Sequence, residues 1–72
     1  MPSLRGIKGK DAIKAFVKTG GIKRSGKGDH VNIKMPNGQI ITIPVSKDLK
    51  IGLLKVAIKK AGLTEEEFMR LL

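Results

Sequence analysis

The chain's single histidine, His30, closes the stretch GKGDH, which also carries Lys27, Gly28 and Asp29. Lys23 and Arg24 lie just upstream and Lys34 just downstream. An imidazole among cations has a definite use at a phosphodiester. In its neutral form it can take the proton from a ribose 2′-hydroxyl, whose oxygen then attacks the adjacent phosphate. Neighbouring lysines can steady the charge that builds on the phosphorane. Composition alone does not raise His30 above a polar surface residue. Asp29 reads as a turn residue, because sequence neighbours on a strand point to opposite faces. One histidine and scattered carboxylates make no metal-ligand set, so neither a metal nor a small-molecule cofactor is expected. Gly26 and Gly28 serve a turn; the Lys-Ser/Thr ending of a Walker phosphate loop is missing.

Charge supports a polyanionic partner. The 72 residues carry +9, unevenly spread. Residues 1–62 hold fourteen Lys/Arg against Asp11, Asp29 and Asp48, while residues 63–72 hold Arg70 against Glu65, Glu66 and Glu67. A basic body of this density binds phosphates, each neutralised phosphate releasing condensed counterions. With no Trp or Tyr and only Phe16 and Phe68, stacking of bases on aromatic rings is not the expected mode, which argues against OB-fold and RRM surfaces. The absence of cysteine excludes a disulfide framework and favours a reducing compartment. No apolar run approaches membrane-spanning length and no signal segment opens the chain, so a cytoplasmic protein without membrane partners is expected.

The elements that must hold His30 follow from periodicity. Residues 1–8 show no period and are expected to form a loose arm ahead of a single domain spanning 1–72. Ile13, Phe16 and Val17 fall on one face of a helix over Lys10–Lys18, stopped by Gly20 and Gly21. Ile22–Ser25 is a weak strand candidate. His30–Met35 and Gln39–Val45 form a hairpin around Pro36-Asn37-Gly38. A three-residue loop pairs Ile33 with Ile41 and Val31 with Ile43 and keeps one face apolar; a two-residue Asn-Gly loop would mix the faces. His30, Asn32 and Lys34 then share the wet face. Asp48 is expected to cap a helix running to Ala61, along which Lys55 and Lys59 make a cationic ridge. Thr64 and Glu67 form a capping box, with Leu63 and Phe68 as its staple, for a short helix over Glu65–Leu71. The result is an α+β layer with helices on one face of a small antiparallel sheet.

The strings GKDAIKAFVKTGG, GKGDH, IPV and IGLLKVAIKKAGLTEEEF together resemble the HicA (YcfA-like) toxin family over residues 6–71. The resemblance implies a double-stranded-RNA-binding-like α-β-β-β-α fold, here with a short extra C-terminal helix. It implies a metal-independent ribonuclease (an mRNA interferase) neutralised by a HicB antitoxin, with the catalytic histidine of the Gly-Ser-His triplet falling on His30. The chain departs from the family pattern at four places. Asp29 replaces the triplet's serine, Gly21 replaces a phenylalanine and thins the core under the first strand, Ser46 replaces a second histidine after Pro44-Val45, and Leu53 replaces a threonine.

Three readings follow: an RNA-cleaving toxin using His30, with Lys23, Arg24, Lys27, Lys34, Lys55 and Lys59 on the RNA; a non-catalytic RNA-binding module of the same fold, which Asp29 and Ser46 support; and a basic domain that meets an acidic protein.

Overall fold

The computed structural model describes residue 4 and residues 6–72, Ser25 by its backbone alone. The order is α1 (Gly9–Lys18), β1 (Ile22–Ser25), β2 (His30–Lys34), β3 (Ile40–Pro44), α2 (Ile51–Lys60) and α3 (Glu65–Arg70). The three strands form one antiparallel sheet in chain order. The fold is the α+β arrangement read from the sequence, with the extra terminal helix. Among the described residues, no helix is long and apolar enough to cross a membrane.

The hairpin adopts the register that alternation demands: Ile33 lies opposite Ile41 and Val31 opposite Ile43. The Met35 amide donates to the Gln39 carbonyl at 2.8 Å and the Gly38 amide to the Met35 carbonyl at 2.9 Å, so three residues make the loop. Gly38 takes φ +88°, the left-handed position that this turn needs and that glycine adopts without steric cost.

One face of the sheet is covered. Ile33, Met35, Ile41 and Ile43 are buried together with Ala12, Ile13, Ala15 and Phe16 of α1 and Leu54, Ala57 and Ile58 of α2. Phe68 of α3 joins them, its ring centroid 5.1 Å from that of Phe16. The capping box on α3 is complete: the Glu67 amide donates to Thr64 Oγ1 at 3.1 Å and the Thr64 amide to Glu67 Oε1 at 3.0 Å.

Three expectations are corrected. The start of the chain is not wholly a loose arm, because Leu4 and Ile7 are buried in the core; Met1, Pro2, Ser3 and Arg5 lie outside the described residues. The Leu49 amide donates to the Ile7 carbonyl at 2.8 Å and the Gly9 amide to the Lys47 carbonyl at 3.0 Å, around a bridge between Lys8 and Asp48. That rung explains the second correction. Asp48 does not cap α2, since its backbone belongs to the rung and the N-cap position falls to Lys50, which makes no side-chain cap. Third, Gly21 leaves no gap beneath β1. A Cβ there would meet Ile33 Cγ2 at 2.7 Å, the Phe16 carbonyl oxygen at 2.9 Å and Met35 Sδ at 3.0 Å, so neighbouring side chains already occupy the space.

Candidate nucleic-acid interface

The uncovered face of the sheet follows from the pleat. Opposite residues on paired strands share a face, so Ile22 and Arg24 of β1, His30, Asn32 and Lys34 of β2, and Ile40, Thr42 and Pro44 of β3 all point away from the helices. Thr42 Oγ1 donates to Asn32 Oδ1 at 2.7 Å, tying β2 to β3 at the centre of this face. Ile22 and Ile40, 59% and 57% exposed, flank Lys34.

His30 is exposed at the head of β2, and its backbone is held on both sides. Its amide donates to the Lys27 carbonyl at 3.1 Å, and its carbonyl accepts from the Gly26 amide at 3.1 Å. The turn is tight: a Cβ on Gly26 would lie 2.6 Å from the His30 carbonyl oxygen, and Gly28 has φ +58°. These are the physical reasons for two glycines ahead of the histidine.

Asp29 and Ser46 meet. Ser46 Oγ donates to Asp29 Oδ2 at 2.6 Å, and the Ser46 amide lies 3.2 Å from each carboxylate oxygen. The Val45 amide donates to the Asp29 carbonyl at 2.8 Å. The Ser46 hydroxyl, then its amide, hold the Asp29 carboxyl below its ordinary value of 3.8, with smaller help from the charges of His30 and Lys47. Two of the four departures from the family pattern are therefore partners, 17 residues apart in sequence. Composition and periodicity gave no signal for this contact.

The six cations singled out from sequence divide. Arg24 and Lys34 share the open face with His30, and Lys27 sits in the turn beside it. Because Gly26 bonds to His30, Arg24 is its diagonal neighbour across the strands, about 7–8 Å away. Lys34 lies four residues along the same strand, about 14 Å away at strand rise. Lys23 is opposite Ile33 and so faces the helix side, near Ile13, Lys14 and Val17 of α1. Lys55 and Lys59 lie on α2 in the helical layer, around a shallow depression with Leu63, Thr64 and Glu65. Among the described residues, no three His, Cys, Asp or Glu side chains cluster as metal ligands would.

Comparison with curated proteins finds no match. A family model described as "HicA toxin of bacterial toxin-antitoxin" matches residues 9–63. The match runs from the first residue of α1, through the whole sheet and the glycine turn that presents His30, to the residue before the Thr64 cap; on that extent the chain belongs to the HicA toxin family and is a toxin of a bacterial toxin–antitoxin system.

Proposed function

We propose that this toxin is a metal-independent ribonuclease that cuts mRNA, with His30 as its acid/base group, and that a HicB-like antitoxin protein neutralises it. The observation that carries the reading is the open sheet face, on which His30 is exposed with its backbone bonded on both sides and Arg24 shares the face on the neighbouring strand. The neutral imidazole takes the proton from a ribose 2′-hydroxyl. The freed oxygen forms a bond to the adjacent phosphorus, and the bond from phosphorus to the 5′-oxygen of the next nucleotide breaks. The products are a cyclic phosphate and a 5′-hydroxyl whose proton comes from water or from the imidazolium. Arg24 is the cation near enough to stabilise the phosphorane. Lys34 and Lys27 bind phosphates on either side and set the strand's path.

One observation favours a second reading, a non-catalytic RNA-binding module. Ser46 turns to Asp29, and no second imidazole stands by His30 to protonate the leaving oxygen. The variant His30→Ala separates the two. With a single-stranded oligoribonucleotide, the toxin should cleave and His30→Ala should lose about 10²–10⁴-fold in rate while RNA binding is retained. The DNA analogue should bind and survive, lacking the 2′-hydroxyl. Equal inertness of both proteins at high concentration supports the module. Equal cleavage by both removes His30 from the chemistry.

A further inference from the structure

We infer that Asp29 and Ser46 act together as a clasp that positions His30, a role that rests on the ribonuclease reading above. The named strands end at the pair His30 and Pro44. Bonded and non-bonded pairs alternate along an antiparallel ladder; His30 and Pro44 form a non-bonded pair, and the next rung is the bond from the Val45 amide to the Asp29 carbonyl. The Asp29 side chain then takes both donors of Ser46, amide and hydroxyl. The residue before His30 is thus fixed by main chain and side chain to the residues after β3. Lys47, which follows, accepts from the Gly9 amide at the start of α1, so the clasp anchors the turn to the helical layer.

Without the two side chains, the stretch from Gly26 to Asp29 would keep only main-chain bonds: its two turn bonds to His30 and the one from the Val45 amide to the Asp29 carbonyl. Two glycines in four residues give that stretch a wide range of backbone conformations. A general base displaced by about 1 Å from its proton can lose about 10²-fold in rate. The Asp29 carboxylate accepts from both Ser46 donors, which engages its oxygens beside His30. Asp29 and Ser46 are therefore positioning residues; neither touches the substrate.

The test is a double-mutant cycle on the full chain, read with a single-stranded oligoribonucleotide and by amide hydrogen exchange. Asp29→Ala and Ser46→Ala should each lower kcat by about 10–10²-fold with KM unchanged, and the double variant should fall no further than either single one. Asp29→Asn keeps an oxygen acceptor for the serine and should recover most of the loss. In both single alanine variants the His30 and Val45 amides should exchange faster. Losses that multiply in the double variant, or a change confined to KM, would overturn the proposal. If the wild-type toxin cleaves nothing, the ribonuclease reading falls and exchange alone decides the clasp: faster exchange at His30 upholds it, and unchanged protection in both variants refutes it.

Discussion

Replacing Gly9 by alanine should destabilise the toxin far more than the same change at Gly52, although both glycines lie in the first two residues of a helix. At Gly9 a new Cβ would collide with the Pro44 carbonyl oxygen, lie 2.8 Å from the Pro44 carbonyl carbon and 3.1 Å from Val45 Cα. All three are backbone atoms, so no rotamer change relieves the clash. Either α1 lifts from the end of β3 or the rung between residues 7–9 and 47–49 opens. Overpacking of this kind costs about 1–3 kcal/mol and sometimes more; with backbone on both sides the upper end, about 3 kcal/mol, applies. Helix propensity returns at most about 1 kcal/mol, leaving about 2 kcal/mol net. For a domain of this size each 1 kcal/mol moves Tm by about 4–8 °C, so a fall of about 8–16 °C is expected. At Gly52 nothing lies within 4 Å of the added carbon, and alanine should stabilise by about 0.5–1 kcal/mol. Thermal and urea unfolding followed by circular dichroism measure both. A Gly9→Ala variant as stable as wild type, or the two variants shifting alike, would refute the close approach of α1 to β3.

Acid unfolding should expose the clasp. Asp29 has its folded pKa lowered from 3.8 by Ser46, so its stabilisation is present above that value and is lost as pH falls through the folded one. Stability curves of wild type and Asp29→Asn should differ at neutral pH and converge below the ordinary carboxylate range; a constant gap down to low pH would contradict the sign. RNA binding should weaken with salt with a log–log slope of about −2, since three cations, Arg24, Lys27 and Lys34, attend His30 and each single-strand phosphate contributes about −0.7. A slope near −4 would bring Lys23, Lys55 and Lys59 into the footprint, and a flat response would remove RNA as the ligand. Thr64→Ala opens the capping box and should cost about 1 kcal/mol, read from urea unfolding.

What sequence made legible is what sequence-local physics determines. The register of β2 on β3 follows from apolar alternation and a loop whose glycine must take positive φ, and one residue of slip would have turned Ile33 and Ile41 outward. The cap on α3 involves two side chains three residues apart. The contacts that stayed hidden are long-range. Asp48 stands where a cap is plausible by spacing, but Lys8, forty residues earlier, claims its backbone. Gly21 looked like a missing side chain until Ile33 and Met35 filled its place from the neighbouring strand. Lys23 and Arg24 are adjacent and equally charged, yet strand alternation puts one on the α1 side of the sheet and the other on the open face that carries His30. Charge alone therefore does not sort the six cations singled out with His30: Arg24 and Lys34 share its open face, Lys27 sits in the turn beside it, and Lys23, Lys55 and Lys59 lie toward or within the helical layer. The contact of Asp29 with Ser46 was hidden for the same reason. The Asp29 carboxylate takes both the hydroxyl and the amide of Ser46, a residue 17 positions away that no local pattern ties to it.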